Sequence, residues 1–257
     1  MSIKNICLLT DFGNDDHYVG VMKSVIVSKN PNVNIIDICH TIRAQNITHA
    51  RYILDSTKDY FPQSSVVMIV VDPDVGSERK ILVIKSDSKY IVAPDNGILS
   101  DLINKNTEIY EITDKSIYLN DTLHTFHGRD RFSPIVAYLS LGEELENISR
   151  RIDISEIVLL NDLYTAPDAN VIKGKVVHID GFGNCVTNIK SDILESAKSI
   201  KIFDLELGEI HRSYYEVEIG EAIAYIGSTG LLELGIRNGD FAGYNSIELN
   251  DEVIVTK

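Results

Sequence analysis

SVVMIVVDPDVGSER, residues 65–79, decides the fold. An apolar run with no polar alternation is the pattern of a strand buried on both faces of a sheet. The run stops at Asp72, turns through Pro73 and Gly76, and closes on Glu78 and Arg79. A turn explains the proline and the glycine. It does not explain a carboxylate at the strand exit answered by a guanidinium at the end of the turn.

Working outward, NICLL, VNIIDIC, KILVI and YIVA repeat the buried-strand pattern, and HYVGVMKSVIVSKN and NITHARYILDSTKDYF carry helical periodicity. Strands alternating with amphipathic helices predict an α/β domain with a largely parallel sheet, placed at residues 1–160. Beyond RRIDISEIVLLNDLYTAPDAN the texture changes to short runs punctuated by Gly and Asn: VIKGKVVHID, NCVTNI, SIKIFDL, YEVEIGEAIAYIG, LLELGI, YNSIEL and EVIVT. Closely spaced strands predict a smaller all-β, barrel-like domain at 170–257, with the linker near 155–170.

The 257 residues are enough for two modest cores. A formal charge of −14, from 38 acidic against 24 basic side chains, argues against a nucleic-acid partner, whose phosphates need a basic face. Three cysteines without CxxC spacing fit a reducing compartment and neither a disulfide framework nor a zinc ribbon. No segment approaches the ~18 apolar residues of a membrane span, and the start is too short in apolar residues for a signal peptide. A cytoplasmic protein without a membrane partner is expected.

In an open α/β sheet, ligands sit beyond the carboxyl ends of the strands. Two such ends carry aspartates: Asp11 in CLLTDFGNDDHYVG and Asp72. Either alone reads as an Asx-turn or a cap, whereas two at equivalent strand ends point to a pocket. A carboxylate there suits a ribose diol or a hard cation. HTFHGRDRFSP, residues 124–134, places His127 ahead of a helix, whose positive end favours neutral imidazole. His124 and His127 have no third ligand at a convincing spacing, so no metal site is expected. In HIDGFGNCVTNI, Asp180, Phe182 and Asn184 share a turn; Asn can read an adenine edge and Phe can stack on its face. IGSTGLLELGIRNGD adds Ser228, Glu233 and Arg237.

Taken in order, LLTDFG, VDPDVGSER, APDNG, TFHGRDRFSP, IDGFGNCVTNI and GSTGLLELGIRNG resemble the signature segments of the S-adenosylmethionine (SAM) hydroxide adenosyltransferase family. These are adenosine-forming SAM hydrolases related to fluorinase and chlorinase. The resemblance implies an N-terminal α/β domain, a C-terminal barrel-like domain, and a homotrimer with sites between subunits. It implies that Asp72, Arg79 and His127 handle the nucleophilic water, that Asp11 holds the ribose hydroxyls, and that Asp180, Phe182, Asn184, Ser228 and Glu233 are further substrate contacts. Asp74 stands where the family commonly has glycine, and Lys80 where arginine is common. The halogenases resemble this chain with a tyrosine in place of Asp72 and an added insertion, so halide use is not expected.

The implied reaction is hydrolysis of SAM, as substrate, to adenosine and methionine by in-line attack at C5′, with no cofactor and no metal. Sulfur leaves as a neutral thioether, so the task is to place water, which can be worth an effective molarity of about 10⁵ M. Two alternatives remain at this stage. TDFGNDD, with Asp11, Asp15 and Asp16, is similar to the aspartate motif of calcium-dependent nucleoside hydrolases, with Phe12 in place of a proline, and would make a metal-dependent nucleoside N-ribohydrolase. A non-catalytic SAM or adenosine sensor would use the same pocket without turnover.

Overall fold

Alternate residues of the central strands face two different cores, and this period of two organises the N-terminal unit. The structure, a computed structural model, describes residues 4–86, 88–119, 124–168 and 170–257. The chain divides into two units, Met1–Asn161 and Asp162–Lys257.

In the first unit the elements follow as β1 (Asn5–Thr10), α1 (Tyr18–Lys29), β2 (Asn34–Cys39), α2 (Ile47–Thr57), β3 (Ser65–Val70), β4 (Ile81–Ser86), β5 (Lys89–Pro94), β6 (Glu108–Ile112), α3 (Ser133–Ser140) and β7 (Ser149–Ile152). They form one sheet in the order β2-β1-β3-β5-β4-β6-β7. Pairs among β2, β1, β3 and β5 are parallel; β4 pairs antiparallel with β5 and β6, and β7 with β6. The parallel expectation thus describes the half of the sheet that carries the strand-exit aspartates, and the far half is antiparallel. Ile6, Leu8, Val66 and Met68 face one core with Met22 of α1 and Ile135 of α3. Cys7, Leu9, Val67 and Ile69 face the other with Ala50 and Leu54 of α2. A strand with a core on each side has no position for a polar residue, which is why SVVMIVV shows no alternation. Each fully buried Val, Ile or Leu contributes roughly 1.5–3 kcal/mol of burial free energy.

The strand order also locates the site. β1 sends its chain to one side, through α1 to β2, and β2 returns through α2 to β3 on the other side of β1. The chain direction switches between β1 and β3, and a crevice opens at their carboxyl ends.

The second unit holds β8 (Val171–Ile179), β9 (Cys185–Lys190), β10 (Ser199–Ile202), β11 (Leu205–Leu207), β12 (Ile210–His211), β13 (Ala222–Ile226), β14 (Leu231–Ile236), α4 (Phe241–Asn245) and β15 (Glu252–Thr256). Their order is β11-β10-β15-β8-β9-β14-β13-β12, antiparallel except for β12 beside β13. The first half of β8 pairs with β15 and its second half with β9, so β8 carries the sheet around a corner. The run YNSIEL forms no strand. Asp240 caps α4 by accepting from Gly243 N, and Ser246, with φ +54°, ends it in the left-handed conformation. Local capping overrides the apolar spacing there.

Candidate active site

Asp72 leaves the end of β3 and Arg79 returns to it. Arg79 Nε donates to Asp72 Oδ1 at 2.6 Å, and Nη2 donates to Oδ2, closing a bidentate pair. The two side chains are only 6% and 4% exposed. Arg79 Nη2 also donates to His127 Nδ1 at 3.0 Å, so the three residues suggested by the motifs stand together. Asp74 is exposed and its carbonyl accepts from Ser77 N at 3.0 Å; its φ is not positive, so this turn needs no glycine at that position.

His127 is 1% exposed. It sits at the start of a π-helical turn, Gly128–Phe132, that leads into α3; such turns recur at functional sites. Gly128 is required by close packing, since a Cβ there would meet Met22 Sδ and the rings of Phe12 and Phe126. Burial, helped by the positive charges of Arg131 and Arg79, lowers the His127 pKa to about 4, against the pull of Asp72. The ring is therefore neutral near pH 7. The sequence pointed to the same state through the helix end; burial is the larger cause. Among the described residues, two buried atoms of this group have no hydrogen-bond partner: His127 Nε2 and Arg79 Nη1. Buried N–H groups without acceptors are costly, and a site that binds an oxygen would satisfy them.

Asp11 stands at the exit of β1, beside β3. Its Oδ2 accepts from Gln45 N at 2.7 Å, and Gly13 N donates to His40 O at 2.7 Å in the turn that follows. Burial raises the Asp11 pKa, the Gln45 bond opposes this, and the nearby Asp72 charge adds to the rise. Asp11, Asp72 and His127 line one cavity of about 330 Å³ with Phe12, Tyr18 and Phe126. Tyr18 and Phe126 meet edge to face at 5.0 Å, and Phe12 packs on both. Sequence reasoning passed over this aromatic wall, although Phe12 follows Asp11 and Phe126 precedes His127. Asp15 and Asp16 are exposed. Among the described residues no three His, Cys, Asp or Glu side chains gather as a metal site.

In the second unit, Asp180 Oδ1 accepts from Phe182 N and Asn184 N, both at 2.9 Å, and Oδ2 accepts from Asn184 Nδ2 at 2.9 Å. Asp180 therefore shapes the turn and orients the Asn184 amide. Phe182 is 80% exposed. Phe182 and Asn184 line a cavity of about 500 Å³ with Tyr214, Ile236 and Asp240. Glu233 does not line it. Its Oε2 accepts from Tyr225 OH at 2.6 Å, and Tyr225 OH stands 2.5 Å from Tyr214 OH, so Glu233 acts on the cavity only through two tyrosines. Burial raises the Glu233 pKa against the Tyr225 bond. Ser228 lies on the exposed turn between β13 and β14, next to Gly227, against which the Glu233 carboxylate packs. Tyr214 was missed because its link to the turn runs through tertiary contacts alone.

Two family models match the chain: SAM hydroxide adenosyltransferase N-terminal domain over residues 6–149, and the C-terminal domain over 174–254. The (R)-S-adenosyl-L-methionine hydrolase of Methanocaldococcus jannaschii is 34% identical over 96% of this chain and 94% of its own. The protein of the same name from Thermus thermophilus is 30% identical, covering 92% and 93%. A crystal structure of an uncharacterized conserved protein from Thermotoga maritima superimposes with a TM-score of 0.89 at 33% identity, covering 98% and 100%. No helix among the described residues is long and apolar enough to cross a membrane.

Proposed function

This chain belongs to the SAM hydroxide adenosyltransferase family, and we propose from that premise how it works as a hydrolase of S-adenosyl-L-methionine, forming adenosine and methionine. The observation that carries the mechanism is the buried Asp72–Arg79–His127 chain, in which His127 Nε2 and Arg79 Nη1 have no partner among the described residues.

Water bound there donates one proton to Asp72 and accepts from the two N–H groups, which hold its oxygen against C5′. Asp72 keeps acceptor capacity for this, because a carboxylate offers about four lone-pair sites and Arg79 uses two. As the new C5′–O bond forms, the C5′–S electron pair leaves on sulfur and methionine departs as a neutral thioether. The water's proton passes to Asp72 and on to solvent. No general acid is required, and neither a metal nor a cofactor has a step to perform. Asp11 accepts from the ribose hydroxyls, and Asn184 and Phe182 receive the adenine by hydrogen bonding and stacking. Three copies associate, with the substrate shared between neighbouring subunits. The relatives' names specify the R configuration at sulfur, and we assign the same preference to this protein.

Incubation with each sulfur epimer of SAM, with products identified by mass spectrometry, tests the function. Adenosine and methionine from the R epimer are expected. Free adenine or ribose would replace this reading with C1′ chemistry, and saturable binding without product would leave a sensor.

A further inference from the structure

The motif APDNG, residues 93–97, takes no part in the chemistry above, yet it lies directly beneath it. Because β3 and β5 run parallel, Val71 and Asp72 leave the sheet beside Asp95 and Asn96. β4 lies on the far side of β5, antiparallel, with Ile81 opposite Pro94. To pass from β3 to β4 the chain must cross the end of β5, and residues 72–79 are that crossing.

Both ends of the crossing are tied to two consecutive residues. Asn96, 7% exposed, donates from Nδ2 to Val71 O at 2.9 Å, while its Oδ1 accepts from Ile98 N at 3.2 Å. Asp95 N donates to Lys80 O at 3.0 Å, and its Oδ1 accepts from Val158 N at 2.8 Å. Val71 precedes Asp72 and Lys80 follows Arg79. The turn therefore sets the spacing between the roots of the two side chains that close on each other above it.

We infer that Asn96 is a positioning residue for the hydrolysis: its amide holds the Val71 carbonyl, with Asp95 holding Lys80, and so aligns Asp72 with Arg79. This rests on the reading of Asp72 and Arg79 as holders of the nucleophile. A simple Asx-turn would account for the Ile98 bond alone. The donor end of the amide goes instead to Val71 O, a buried carbonyl past the end of its ladder that needs a donor. Aspartate in this place would set acceptor against acceptor. A bidentate fork tolerates little misalignment, and displacement by about 1 Å at a reacting centre can cost on the order of 100-fold in rate.

The test is Asn96→Asp, read by steady-state kinetics and by NMR titration of the His127 ring. We expect kcat to fall roughly 10- to 100-fold with KM held within about twofold, since ribose and adenine contacts are untouched. As Arg79 withdraws, one of the positive charges that hold the His127 pKa down is removed and it should rise from about 4, while burial keeps it below the ordinary histidine value. A folded variant with wild-type kcat, a loss confined to KM, or an unmoved His127 titration would overturn the inference. Should Asn96→Asp not fold, Asn96→Ser, which keeps a donor on a shorter arm, is read in the same way. A wild-type protein that forms no adenosine would remove the proposed function, and the His127 titration would then decide the role of Asn96 by itself.

Discussion

Arg79 Nη2 donates to His127 Nδ1 across 3.0 Å, and since a guanidinium has no lone pair to offer, the direction of that bond is settled by chemistry. Nδ1 must be the bare nitrogen. The neutral ring then carries its proton on Nε2, the atom without a partner among the described residues. One contact thus fixes the charge and the tautomer of the ring, and leaves Nε2–H as the donor that the proposed mechanism uses.

His127→Asn should lower kcat by about 10²- to 10³-fold, the loss typical of removing a donor aimed at a reacting oxygen. Arg79→Lys should do as much, because an ammonium cannot form the bidentate pair with Asp72 and also reach His127. Steady-state kinetics of the double variant should show far less than the product of the single losses, as for groups acting as a unit.

The buried ring makes stability depend on pH. Above pH 6.5 His127 is neutral in both folded and unfolded chains and contributes no pH dependence. Between pH 6.5 and about 4 the unfolded ring takes up a proton that the folded ring refuses, so stability falls as pH falls. The loss is complete below pH 4 and amounts to roughly 3 kcal/mol. Denaturant midpoints across this range should fall more steeply for the wild type than for His127→Asn.

In the proposed mechanism Asp11 accepts both ribose hydroxyls, for which it must be ionised. Its raised pKa places its protonation above the ordinary aspartate range, so kcat/KM should drop on the acid side earlier than a solvent-exposed carboxylate would predict. Asp11→Asn should raise KM and abolish that limb of the profile. An unchanged limb would assign it to another group.

Because the leaving group is neutral and every proposed step uses a side chain, activity should persist in EDTA. Complete inhibition reversed by Ca²⁺ would restore the nucleoside-hydrolase alternative.

Direct displacement makes a stereochemical demand. In ¹⁸O-water the label should appear in the 5′-hydroxyl of adenosine, and a chirally deuterated C5′ should invert. Retention would mean two displacements, with Asp72 as the covalent nucleophile.

What the sequence determined by itself is whatever depends on neighbours along the chain. A short apolar run without alternation, rich in Val and Ile, reads as a strand covered on both faces, so SVVMIVV pointed to a buried sheet, and the motifs marked Asp11, Asp72, Arg79 and His127 as candidates for its chemistry. Strand order and contact across the fold were decided by tertiary structure. His127 meets Arg79 from 48 positions away, and Asn96 reaches Val71 across 25, because β3 lies between β1 and β5. Nothing local encodes that order, since periodicity reports which face is buried and not which strand lies beside it. The same limit hid the role of Glu233. The resemblance implied a substrate contact, and its place on β14 opposite Tyr225 puts the carboxylate on a tyrosine hydroxyl. A buried polar group takes the partner that packing brings within reach.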